Sequence, residues 1–123
     1  MSIQAYQRVN QQAEPPRQTE YRAFADATRA LITANENRAQ IALTVEAIHK
    51  NRRLWSILSD DCAAPGNKLP EGLRAGIISL AIFVDRHSSQ VIRENADIDV
   101  LIDINRTIMQ GLAGEGRPEG AGV

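Results

Sequence analysis

The stretch LPEGLRAGIISLAIFVDRHSSQV, Leu69 to Val91, decides the fold class. Leu73, Ile77, Leu80, Val84, His87 and Val91 recur along it at steps of four and three. That repeat keeps one side of a helix apolar and is the seam expected of a bundle helix. Its most apolar part, Ala75 to Val84, is about half of the roughly 20 residues that a membrane span needs, and Arg74 and Asp85 bracket it. The spacing therefore predicts a bundle helix from near Pro70 to about Glu94.

Working outward, AAPGNKLP (Ala63 to Pro70) reads as a loop. Before it, Ile41, Val45, Ile48, Arg52, Trp55, Leu58 and Cys62 step by three or four and predict a helix from about Arg38 to Asp61. Asn37 with Gln40 resembles a capping box at its start, and NEN (Asn35 to Asn37) breaks the preceding run. That earlier helix has Pro16 near its first turn and Tyr21, Phe24, Thr28, Leu31 and Ile32 on its inner face. Ile3, Tyr6, Val9 and Ala13 predict a short helix at the start, capped by Ser2 and ended by PPR. Downstream, Asp97 and Asp99 suit the positive end of a last helix carrying Ile98, Leu101, Ile102, Asn105, Ile108, Met109 and Leu112. DVLID alternates like a strand, but its apolar residues continue at helical spacing, which decides for helix. The glycine-rich end predicts a disordered tail. The expectation is an all-α single bundle of four main helices with a short N-terminal helix, a domain over 1–112 and a flexible tail over 113–123.

Three polar residues interrupt the predicted seams: Arg52, His87 and Asn105. As buried structural groups they must be bonded, and breaking a buried ion pair costs about 3–5 kcal/mol. Arg53 falls beside the stripe and Lys50 points away. His87 has no second ligand at chelating spacing, so it does not read as a metal ligand.

The chemistry-bearing residues argue against an enzyme. Asp60 and Asp61 are adjacent on a helix and point about 100° apart, so they form no acid/base dyad. Cys62 is the single cysteine, which excludes an intrachain disulfide, and no histidine stands near it to activate a thiolate. Glycine-rich phosphate loops and nucleophile elbows are missing, so no cofactor is expected. The balance of 14 basic against 15 acidic residues argues against direct nucleic-acid binding, although HKNRRL is locally basic. One tryptophan without interleaved aromatics offers no stacking platform. MSIQAYQRVNQQAE has no basic segment followed by an apolar core, so a cytoplasmic protein is expected.

AYQ (Ala5 to Gln7), PPRQTEYRAF (Pro15 to Phe24), NRRLW (Asn51 to Trp55), NKLPEGLRAGIISLAIFV (Asn67 to Val84) and LIDINRTIMQGL (Leu101 to Leu112) occur in this order. Together they resemble the FlaF family of flagellar biosynthesis regulators of alphaproteobacteria, from Ala5 to Leu112. Gln18 stands where that family commonly has an acidic residue. The resemblance implies a small cytoplasmic protein needed for flagellin synthesis or secretion, opposed to the FlbT regulator and associating with flagellin as a secretion chaperone. Such a chaperone would hold a cargo helix in an apolar groove. The expected partner-binding residues are Trp55 and Leu69 as floor, Arg53 and Arg74 as rim, and Asn67 in the adjoining loop. A competing expectation is a regulator of flagellin translation acting through messenger RNA or an RNA-binding partner such as FlbT. A third is a purely structural bundle subunit. Salt separates the first two, because RNA binding weakens steeply with ionic strength and an apolar groove does not.

Overall fold

The computed structural model describes residues 16–115, with side chains from Glu20 to Gly111. Four helices form, α1 over Pro16–Glu36, α2 over Ile41–Ala63, α3 over Glu71–Glu94 and α4 over Asp99–Glu115. No strand occurs among the described residues. The predicted N-terminal helix over Ile3 to Ala13 and the tail from Gly116 lie outside the described residues. Residues 113–115, expected in the tail, belong to α4.

Local chemistry sets the boundaries. Pro16 opens α1, where a missing N–H costs nothing. Asn37 turns the chain by donating from Nδ2 to the Thr33 carbonyl at 2.8 Å. The expected capping box does not form: α2 starts at Ile41, and Gln40 at the cap position makes no side-chain bond. The helix therefore begins about a turn later than the spacing predicted. Asn67 closes its far end, donating to the Asp61 carbonyl at 3.0 Å and accepting from the Leu69 N–H at 2.9 Å. α3 ends at Asn95 in the left-handed region, φ 57°, and the Ala96 N–H returns to the Gln90 carbonyl at 3.2 Å. That pattern satisfies the last carbonyls of α3. Asp97 Oδ1 accepts the Asp99 N–H at 2.9 Å at the start of α4.

α1 packs against both α2 and α4, α2 also packs against α3, and α3 meets α4 only sparsely. The order across the array is thus α3, α2, α1, α4. Phe24, Leu31, Ile48, Trp55, Val84, Ile98 and Leu101 form the core. Phe24 and Trp55 meet edge to face with centroids 5.6 Å apart, a contact worth about 0.5–1.5 kcal/mol beyond its buried area.

Polar groups at the centre tie three helices together. The Trp55 indole donates to Asn105 Oδ1 at 2.9 Å. Asn105 Nδ2 donates to Asn51 Oδ1 at 2.8 Å and to Thr28 Oγ1 at 3.1 Å, and the Thr28 hydroxyl donates to the Phe24 carbonyl at 2.6 Å. Asn105 is fully buried, as its seam position predicted. Such a network fixes register, since sliding any helix would orphan several buried groups.

The other two seam expectations need correction. Arg52 is not buried: its side chain is 34% exposed, at the α2–α3 edge. The buried residues of α2 are Thr44, Ala47, Ile48, Asn51, Trp55 and Cys62, so the inward face is centred one residue earlier than predicted. Ile41 and Val45 lie outside it. His87 is half-buried, with Nε2 2.7 Å from the Asp97 carbonyl and its ring stacked on Phe83. Ser88 takes the buried place beside it on α3. Leu73 and Tyr21, expected inside, are exposed.

Candidate partner-binding surface

The residues expected to form floor and rim do not come together as one groove. Trp55 is 2% exposed and belongs to the core. Arg53, two positions earlier, lies about 200° around the helix from it, exposed and without a bond among the described residues. Asn67 spends its amide on its own loop. Leu69 is partly buried against the core. Arg74 is half-buried, and its Nε is closed off from solvent without a hydrogen-bond partner. A buried guanidinium nitrogen without an acceptor is costly and is relieved by an incoming carboxylate or carbonyl.

What sequence reasoning missed lies on the outer side of the α2–α3 pair. Two depressions run along the crossing. One, of about 470 Å³, lies between the start of α2 and the end of α3 and is walled by Ile41, Val45 and Ile92, with Arg38, Arg93 and Glu94 around it. Ile41 is 71% exposed, and Val45 and Ile92 are exposed as well. The other, of about 260 Å³, is lined by Ser56, Ser59, Asp60, Ala81 and Ile82. Ile82 is another exposed large aliphatic. Isolated exposed aliphatics are ordinary, but several lining one crossing resemble the apolar patches that partners cover.

Arg52 separates the depressions and holds the two helices together. Its Nε donates to Asp85 Oδ1 at 3.1 Å, and its Nη2 donates to the Asp85 carbonyl at 2.9 Å and to Ser89 Oγ. The arginine thus meets a carboxylate and a carbonyl at the edge of the array and not inside it. Arg38 closes the upper end, bonding Asn95 Oδ1 and, at 3.3 Å, the Ala96 carbonyl. Arg93 on the same rim has no bond among the described residues. The first turn of α2 carries no acidic residue and no side-chain cap, which leaves its positive end bare beside the upper depression.

Two further groups bear on chemistry. Burial pushes the Cys62 thiol up, with the Asp61 and Glu20 carboxylates adding to the effect and Arg74 opposing it. A thiol held protonated is a packing residue and not a nucleophile. Asp26 is held below its ordinary carboxylate range by its ion pair with Lys50, which links α1 to α2 at the surface. Among the described residues no group of three acidic, histidine or cysteine side chains could hold a metal ion. No helix among them is long and apolar enough to cross a membrane.

The sequence model of the family described as flagellar protein FlaF matches residues 2–112. The chain belongs to the FlaF family. The match runs from before α1 into the last turn of α4, so α1 to α3 and all but the end of α4 in this FlaF protein lie within the family match. Neither a curated protein nor a solved structure matches it.

Proposed function

We propose that this FlaF protein acts without catalysis in flagellin synthesis or secretion, by binding flagellin as a chaperone-like helical module in the cytoplasm. The observation that carries this reading is the outer α2–α3 crossing, where Ile41, Val45, Ile82 and Ile92 are exposed and Arg93 stands on the rim. A cargo helix laid there would set its apolar side chains, spaced by three and four residues, into the two depressions. Its polar middle would pass over the Arg52–Asp85 bridge. Rim arginines would meet acidic cargo side chains, while the apolar contacts supply most of the affinity. Arg53 lies beyond this rim on the outer face of α2 and would add charge attraction only. Trp55 would act from beneath, by holding α2 in place.

The test is a titration of purified FlaF protein with flagellin over a range of salt concentration, with and without flagellin messenger RNA. The reading expects direct binding that changes little with salt and does not need RNA. Binding only in the presence of RNA, falling steeply with salt, would favour the translational reading, with or without FlbT.

A further inference from the structure

The two depressions of the outer α2–α3 face differ in charge. On the reading that this face holds a cargo helix, we infer that the helix lies with its C-terminal end in the upper depression, where Thr44 and Arg93 bind a carboxylate of its last turn. Thr44 is the residue that points to a ligand. It lines the depression, about 60° around α2 from Ile41. It is 7% exposed, and its Oγ1 has no hydrogen-bond partner among the described residues. Helical threonines can bond the carbonyl four residues back. Thr28 does so with Phe24 at 2.6 Å, and Thr107 with Asp103 at 3.0 Å. The corresponding residue for Thr44 is Gln40, at the cap position outside the helix, and no such bond forms. An unbonded buried hydroxyl is unfavourable, and a carboxylate entering the depression would accept a charge-assisted bond from it.

Charge selects the ligand and its direction. Arg38 and Arg93 stand against Glu94 on the wall of the upper depression, which is therefore net positive. Arg38 bonds only neutral groups, Asn95 Oδ1 and the Ala96 carbonyl, and Arg93 makes no bond among the described residues. The start of α2 adds its uncompensated positive end. The end of α3 opposes this only weakly, because its Gln90 carbonyl already accepts the Asn95 and Ala96 N–H groups. The lower depression has the opposite sign. Asp60 and Asp85 stand there against Arg52, which is committed to Asp85. The last turn of α2 beside it carries no basic residue. A helix along the groove has a negative C-terminal end and a positive N-terminal end. Both are matched when it runs opposite to α2. Arg38 spans from the turn before α2 to the turn after α3 and closes the groove beyond the upper depression, so the cargo helix ends against it.

The test titrates purified flagellin with the full-length wild type, Thr44→Val and Ser88→Ala, with a melting curve taken on each protein. Ser88 also has a buried, unbonded hydroxyl but lines neither depression. Thr44→Val is expected to melt at or above the wild-type temperature, since it removes an unbonded group, and yet to bind flagellin about tenfold more weakly, the size of one lost charge-assisted bond. Ser88→Ala is expected to bind as the wild type does. Equal affinity of Thr44→Val and wild type would overturn the inference. Direction is read separately with the photo-crosslinking variants Val45→p-benzoylphenylalanine and Ser56→p-benzoylphenylalanine, at exposed positions about 16 Å apart along α2. Mass spectrometry of the irradiated complexes is expected to place the Val45 links C-terminal to the Ser56 links in the flagellin sequence. The reverse order, or no consistent order, would overturn the inference and leave flagellin binding standing. A wild type that binds no flagellin would overturn the functional reading and this inference with it.

Discussion

Asn105 is the residue on which most of the core depends. Its amide serves the Trp55 indole, Asn51 and Thr28 at once. Truncation would leave three buried groups short of a partner, at about 1–3 kcal/mol for each one left unsatisfied. Asn105→Ala is therefore expected to lower stability by about 3 kcal/mol or more, read from urea midpoints at constant m value. Cys62 gives a pH signature of known sign. Its folded pKa is raised above the ordinary value of 9.0, so its contribution is complete below pH 9 and fades as the pH rises toward the folded value. Denaturation midpoints of the wild type are expected to fall above pH 9 more steeply than those of Cys62→Val, and equal slopes would show that the thiol is not the titrating group. Asn105 was legible from sequence because apolar residues flank it at three and four on both sides. Asn51 was not, because an alternative stripe through Ile41, Val45 and Arg52 contains larger apolar residues and competes with the true face of Thr44, Ala47 and Asn51.

At the scale of elements, α2 and α3 are held by a bridge at their edge as well as by the core. Arg52 contacts both the side chain and the backbone of α3, yet it is one-third exposed and its partner Asp85 is more so. Solvent discounts such a pair. Arg52→Ala is expected to cost about 1 kcal/mol, and Arg53→Ala less than about 0.5 kcal/mol because Arg53 is exposed and makes no bond among the described residues. Thermal melts of both variants check this order, and a larger loss for Arg53 would contradict the assigned face of α2. The sequence pattern located all four described helices, since their apolar periods persist for several turns. It misplaced the start of α2, because Asn37 and Gln40 have the spacing of a capping box but bond elsewhere. A shift of one residue in the inferred face turns a helix by about 100°. That shift moved Ile41 and Val45 from the expected core to the surface and hid the outer groove from sequence reasoning.

At the scale of the whole molecule, the array buries one core and leaves apolar side chains on its outer α2–α3 face. The resemblance to FlaF proteins pointed to the family, and the family match covers the array but for the end of α4. Flagellin as the occupant of the outer face is the account's central claim. Ile41→Asp/Val45→Asp alters only exposed positions of α2, so the fold should stay within about 1 kcal/mol of wild type. Ile57→Asp places one such charge at an exposed position of the same helix away from the depressions. The most direct measurement is a titration of labelled flagellin with wild type and these two variants, with melting curves taken on each protein. The account expects affinity to fall at least tenfold for Ile41→Asp/Val45→Asp at near-unchanged melting temperature, and to hold for Ile57→Asp. Equal affinity of all three proteins for flagellin would contradict it.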